Sequence, residues 1–100
     1  MHARITWGRV KPGHWDAYEE SYRRKLLAAG RPDGLRGRLL VRDTEDRDSG
    51  GTVSLWESEQ ALRDYEQGEL RAHILPTLEE HFAGEFHTHC CEVRHLGLID

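Results

Sequence analysis

Near its end the sequence places three potential metal ligands at alternate positions, His87, His89 and Cys91. Alternate side chains of a β-strand point to the same side, and zinc, copper and iron accept imidazole and thiolate ligands. Such residues lie roughly 6.5 to 7 Å apart, so one strand alone rarely closes a tetrahedral site. His73, His81 or a partner subunit would have to complete it. We predict no resident metal, and the alternative is a metal held by His87, His89 and Cys91.

The only cysteines of the chain, Cys90 and Cys91, are sequence neighbours. On a strand their side chains point to opposite faces, which excludes a structural disulfide framework. Nothing in the sequence indicates an activated thiolate, so we do not predict a cysteine nucleophile. Reduced thiols fit a reducing compartment.

A further group of chemically versatile side chains is aromatic and follows the spacing of a helix. Trp15, Tyr18, Tyr22, Leu26 and Ala29 recur at intervals of three and four residues, and charged side chains fill the remaining arc. The pattern predicts an amphipathic helix whose buried side is aromatic. Such rings form either the wall of a small-molecule site or part of a core, and the sequence leaves both alternatives open.

The elements that must position these side chains follow from periodicity and turn residues. Strands are predicted at residues 4–10, 35–42, 52–56 and 85–95, and helices at 15–29, at 58–68 and from there to Phe82. Gly50 and Gly51 are expected to close a hairpin, and Gly68 and Pro76 to interrupt the second helical region. This order predicts a single domain over residues 1–100 of the α+β class, with a ferredoxin-like βαββαβ fold and a four-stranded antiparallel sheet.

Composition and charge exclude several classes of partner. Fourteen Lys and Arg are mixed with eighteen Asp and Glu, giving a formal net charge of -4, whereas a general nucleic-acid binder normally shows a basic stripe. No apolar run approaches the ~20 residues that span a bilayer, and the first residues do not resemble a signal peptide. We expect a cytoplasmic protein without nucleic-acid or membrane partners.

Both faces of the predicted sheet carry large apolar side chains. One register holds Ile5, Trp7, Leu35, Leu39, Val41, Val53 and Leu55, and the other holds Val10, Leu40 and Trp56. Helices can cover only one face of a sheet in this arrangement, and each apolar side chain left in water forfeits about 1.5 to 3 kcal/mol. We therefore predict a homodimer in which two sheets pack face to face around a twofold axis.

Three segments of the sequence resemble the antibiotic biosynthesis monooxygenase superfamily. They are residues 10–13 (VKPG), residues 34–37 (GLRG) and residues 55–62 (LWESEQAL). The resemblance implies a dimeric α/β barrel with a pocket between the helices and the sheet of each subunit. It also implies a range of functions, because the family includes cofactor-independent oxygenases of aromatic polyketides, haem-degrading enzymes, isomerases and members without known activity.

On this resemblance, Thr6, Trp15, Tyr18 and Trp56 are expected to contact a substrate, and Tyr22, Tyr65 and His73 to act in catalysis. The expected reaction is cofactor-independent oxidation of a small phenolic or quinone-like aromatic molecule. One alternative is a dimer that binds a small ligand or serves as an accessory protein without catalysis. Another is haem binding or haem degradation, in which the roles of the haem-degrading branch fall on Thr6, Tyr65 and His73, with His73 as an axial ligand or general acid/base.

Overall fold

The computed structural model describes residues 1–28 and 30–99; Ala29, the last position of the predicted aromatic stripe, lies outside the described residues. Four strands and three α-helices follow one another along the chain. They are β1 (His2–Arg9), α1 (Trp15–Tyr22), β2 (Leu35–Arg42), β3 (Ser49–Trp56), α2 (Glu59–Gln67), α3 (Glu69–Glu79) and β4 (His87–Glu92). A π-helical turn, Arg23–Leu27, extends α1.

The strands form one antiparallel sheet in the order β2-β3-β1-β4. In the register of the two central strands, Ile5 lies opposite Val53 and Trp7 opposite Gly51. The element order and strand order are those of the ferredoxin-like α+β fold, which confirms the predicted fold class. In the described ranges no helix is both long and apolar enough to cross a membrane.

The second helical region divides at Gly68, as predicted. Ser58 caps α2 by accepting a hydrogen bond from the Ala61 amide at 3.1 Å, and Gly68 takes an extended conformation between α2 and α3. Pro76 lies inside α3 rather than ending it. The predicted continuation to Phe82 is wrong, because Phe82 leaves the helix and forms an isolated bridge with Val10.

The predicted antiparallel hairpin of the second and third strands is confirmed, but Gly50 and Gly51 do not form its turn. Both residues lie within β3, and aspartates close the connection from β2 instead. Asp43 Oδ1 accepts hydrogen bonds from the amides of Glu45 and Asp46 at 2.7 and 2.9 Å. A carboxylate that accepts from nearby backbone amides stabilises a turn without glycine.

The helices cover one face of the sheet, which we call the covered face, and leave the other, the open face, uncovered. Three clusters of buried side chains lie between the helices and the covered face: Val10 with Trp15 and Tyr18; Tyr22 with Leu26 and Ile74; and Leu35 with Trp56 and Leu62. Trp56 is 1% exposed, and the interdigitation of these rings and aliphatic chains supplies the core.

The open face carries large apolar side chains in contact with solvent. Ile5, Trp7, Leu39 and Val41 are 38%, 43%, 61% and 37% exposed. Leu35, which we predicted on this face, lies instead on the covered side at 5% exposure. The reason is an irregularity in pairing between Leu35 and Gly37, because a bulge of this kind moves a side chain to the opposite face.

Candidate functional site

A cavity of about 680 Å³ lies between the covered face and the helices. This volume is within the range typical of sites for small organic molecules. The sheet contributes Arg4, Thr6, Thr52 and Thr88; the first helical segment contributes Tyr18, Tyr22 and Leu26; α2 contributes Tyr65; α3 contributes Arg71, Ile74, Leu75, Leu78 and Glu79; and residues 82–86 complete the lining.

One part of the cavity wall is polar and centres on Arg4, whose side chain is 11% exposed. Its Nε donates to Glu66 Oε2 at 3.0 Å, and its Nη1 donates to Thr6 Oγ1 at 3.2 Å. The Thr6 hydroxyl lies 3.0 Å from the Thr88 hydroxyl on the neighbouring strand. Among the described residues, the other N–H groups of this guanidinium have no acceptor, so Arg4 is held in place by Glu66 and still has donors for a bound anion.

Another part of the wall is aromatic. The rings of Phe82 and Phe86 stack with centroids 3.9 Å apart, and the Tyr18 ring lies 6.1 Å from each of them. Phe86 rests directly on Gly8 of β1, where a Cβ atom would overlap the ring. Phe86 therefore fills the space that the small residue Gly8 leaves. The cavity lies further along β1, beside Thr6.

The tyrosines of the cavity differ from free phenols in acidity. Burial raises the pKa of Tyr18 to about 12. Burial also raises the pKa of Tyr22; Arg38 opposes this shift, and Tyr65 adds to it. Because both phenols keep their protons at neutral pH, Tyr18 and Tyr22 are suited to donate hydrogen bonds and are unsuited to act as bases.

The residues predicted to form the site do not all meet. Thr6, Tyr18, Tyr22 and Tyr65 line the cavity together. His73 is exposed on α3 and is not among the lining residues, although its neighbours along the chain include lining residues. In this arrangement His73 could not serve as an axial ligand to a haem in the cavity.

The two predicted tryptophans lie behind the cavity wall. Trp15 packs against Val10 and Tyr18 in the core. Trp56 donates from Nε1 to Ser54 Oγ at 2.9 Å, and its ring lies 4.8 Å from that of Tyr65. Neither tryptophan lines the cavity, and Trp56 contacts a lining residue and supports its ring.

The alternative metal ligands His87, His89 and Cys91 share the open face, since they pair with Trp7, Ile5 and Ala3. In the part of the chain that the structure describes, no group of three or more His, Cys, Asp or Glu side chains is arranged to hold a metal ion. β4 therefore does not assemble a three-ligand site within one subunit.

Arg4, Thr52, Thr88 and the Phe82–Phe86 pair line the cavity without having been predicted to do so. The sequence did indicate where the Arg4 side chain points, because Arg4 stands two residues before Thr6 and so shares its face of β1. Its partner Glu66 lies 62 positions further along the chain, and no local pattern connects the two. The phenylalanines are brought onto the cavity by the bridge between Phe82 and Val10.

Comparisons with known proteins support this architecture. The sequence profile of the family Antibiotic biosynthesis monooxygenase matches residues 1–76. No curated protein sequence matches the chain.

Solved structures of similar fold include a protein of Bordetella bronchiseptica named for the antibiotic biosynthesis monooxygenases. It is 23% identical, with a TM-score of 0.82 and coverage of 95% of this chain and 97% of that chain. SnoaB of Streptomyces nogalater, described as a cofactor-independent oxygenase, is 15% identical, with a TM-score of 0.81 and coverage of 95% and 94%. These likenesses show the fold, and the profile match shows the family. The chain belongs to the antibiotic biosynthesis monooxygenase family.

Proposed function

We propose that this protein is a homodimeric oxygenase that oxidises a small phenolic aromatic compound with molecular oxygen and without a cofactor. The observation that carries the proposal is the buried Arg4 guanidinium, held by Glu66 and Thr6 at the wall of a cavity that also has an aromatic side. A flat substrate would place its rings against Phe82 and Phe86 and its oxygen substituents toward Arg4 and the threonines.

The chemistry requires a substrate that becomes an electron-rich anion. In an anthrone-like phenol, loss of a proton gives a delocalised phenolate or enolate that reacts with oxygen. A positive charge and preorganised donors in a partly dry cavity stabilise that anion. Arg4, whose charge is balanced by Glu66, supplies charge-assisted N–H donors, and Tyr22 supplies a neutral donor. Glu79 and Glu85, two carboxylates of the lining, are candidates to accept the proton because Tyr18 and Tyr22 hold theirs.

The overall conversion balances with oxygen as the only oxidant. A substrate methylene group loses its two hydrogens and becomes a carbonyl. One atom of O₂ becomes the carbonyl oxygen, and the other leaves as water with the two hydrogens. Because O₂ accepts all the electrons that the carbon loses, the proposed reaction needs no flavin, haem or metal. The description of SnoaB as a cofactor-independent oxygenase supports a reaction of this class in this fold.

The proposed dimer follows from the open face. Ile5 and Trp7 on β1 and Leu39 and Val41 on β2 are all more than a third exposed, and both strands pair with β3 between them. A second copy of the same face is the occupant that matches this apolar surface, and the family resemblance implies the same assembly. The free cysteines Cys90 and Cys91 support a reducing compartment such as the cytoplasm as its place of action.

Oxygen consumption with an anthrone-type phenol, measured without added cofactor, tests the function. Arg4→Met should lower kcat/KM by about 10- to 100-fold, since a hydrogen bond to a charged group contributes about 1.5 to 3 kcal/mol. Tyr22→Phe should lower it by about 2- to 10-fold, as expected for a neutral hydrogen bond. Arg94→Met removes an exposed arginine outside the cavity and should leave the rate unchanged.

Two outcomes would contradict the proposal. If the phenol raises the Tm of the protein but no oxygen is consumed above the rate without protein, the cavity serves binding alone. If Arg4→Met and Arg94→Met are equally active, the polar wall does not stabilise a substrate anion.

A further inference from the structure

A pair of histidines away from the cavity lies in a geometry that suits a metal ion. His14 stands at the N-terminus of α1, and His81 lies in the turn after α3. Their Nδ1 atoms are 3.5 Å apart, and the rings are tilted by 58°. This distance is long for an N–H···N hydrogen bond. Two imidazole nitrogens about 2.0 to 2.1 Å from one ion at a tetrahedral angle would be about 3.3 to 3.4 Å apart, close to the separation observed.

The second nitrogen of His81 already has a partner. His81 Nε2 lies 3.3 Å from the hydroxyl oxygen of Ser21, and Ser21 is a buried polar residue of α1, 6% exposed. When Nε2–H donates to this hydroxyl, the lone pair of His81 is on Nδ1, directed at His14. Metal-binding histidines are commonly oriented in this way by a hydrogen bond from the other ring nitrogen.

Backbone hydrogen bonds join both His14 and His81 to Lys11. The Lys11 amide donates to the His81 carbonyl at 2.9 Å, and the His14 amide donates to the Lys11 carbonyl at 2.9 Å. The two rings are therefore held near each other before any ligand binds. This lowers the entropy that binding an ion would otherwise cost, because the ligands need little further ordering.

We propose that His14 and His81 bind one first-row transition-metal ion that favours imidazole, such as Zn²⁺ or Cu²⁺, through their Nδ1 atoms, with water completing the coordination. Neither histidine lines the cavity, so the site is independent of the proposed oxygenase reaction. Its effect would be structural, because the ion would join the start of α1 to the turn after α3, next to the residues that form the aromatic wall.

Isothermal titration of the full chain, freed of any polyhistidine tag, with Zn²⁺ and with Cu²⁺ tests the site. The wild type should bind one ion per chain. His14→Ala and His81→Ala should each weaken binding by at least about 10-fold, since each removes half of the protein ligands. Ser21→Ala keeps both ligands and should weaken binding by about 10-fold through loss of the orienting partner. Circular dichroism of each variant verifies that it is folded.

The double variant His87→Ala/His89→Ala is the matched control, because it removes two histidines from β4 and leaves the pair intact. It should bind like the wild type. Long-range ¹H–¹⁵N correlation spectra of the Zn²⁺-loaded protein should show coordination at Nδ1 of both His14 and His81. The proposal is overturned if His14→Ala and His81→Ala bind as the wild type does, or if binding disappears in the β4 variant instead.

Discussion

The two sides of β1 reverse the usual relation between polarity and burial, whereas the rest of the covered face packs the apolar core. Arg4 and Thr6 point toward the helices, and the alternate residues Ile5 and Trp7 point to the open face. A half-covered sheet ordinarily turns its apolar residues to the core and its polar residues to water. Here the covered face holds an arginine beside a cavity, and the open face holds a tryptophan that is 43% exposed. This difference agrees with our proposal that the covered face binds a ligand and the open face binds a second copy of the chain.

The largest effect should come from charging the open face. Trp7→Lys/Leu39→Lys places two ammonium groups on the surface that we assign to the dimer, and each change occurs in both protomers. We expect the Kd of the dimer to rise at least ~1,000-fold, since each apolar side chain contributes about 1.5 to 3 kcal/mol when buried. Sedimentation velocity across nanomolar to micromolar concentration measures this. Thr44→Lys, in an exposed loop, should leave the Kd unchanged. A wild-type chain that sediments as a monomer throughout this range would contradict the assignment of the open face.

A comparison of two tryptophans tests the covered face. Trp56→Ala should lower the free energy of unfolding by about 3 to 5 kcal/mol, because it empties a fully buried position between Leu35 and Leu62. Trp7→Ala, measured at a concentration where the chain is monomeric, should cost less than about 1.5 kcal/mol, because that ring is already partly in water. Urea unfolding by circular dichroism gives both values. Equal losses would mean that the two faces contribute alike to folding of the single chain.

Alkaline unfolding gives a smaller and more specific test of the covered side. The pKa of Tyr18 is 10.0 unfolded and about 12 folded, so the unfolded chain ionises first as the pH rises. The contribution of Tyr18 to the free energy of unfolding is therefore constant below pH 10. It falls between pH 10 and 12 by about 2 to 3 kcal/mol in total. Tyr18→Phe should remove that part of the slope. Urea unfolding from pH 9 to 12 measures it, and parallel slopes for the two proteins would show that Tyr18 ionises as easily when folded.

Local patterns predicted most of the fold. The errors lie where pairing between distant residues determines the orientation of a side chain or the end of an element. The aromatic spacing of α1 and the break at Gly68 are properties of neighbouring residues, and both were predictable. Leu35 was placed on the wrong face because one irregularity in pairing with β3 reverses a side chain. The end of α3 was misplaced because Phe82 pairs with Val10, which lies far earlier in the chain.

The tyrosines of the site were predictable, whereas its phenylalanine pair and its ion pair were not. Tyr18 and Tyr22 follow from the helix spacing, and Tyr65 follows from its place on α2. The partnership of Arg4 with Glu66 depends on how α2 lies across β1, which no run of sequence encodes by itself. His73 was chosen through the family resemblance, and its exposed position depends on the helical phase of α3, which begins anew after Gly68.

Gly8 and Gly50 lie opposite each other in the two central strands, and each would overlap an aromatic ring if it carried a side chain, Phe86 at Gly8 and Trp15 at Gly50. Each ring therefore packs directly against the glycine backbone of the sheet. A methyl group at Gly8 would displace Phe86 outward and shorten the cavity from its aromatic end, whereas at Gly50 it would also overlap the Val41 carbonyl oxygen of β2. A single side-chain atom added to the sheet beneath the cavity would therefore change the length of ligand that the cavity can hold, without any change in the helices.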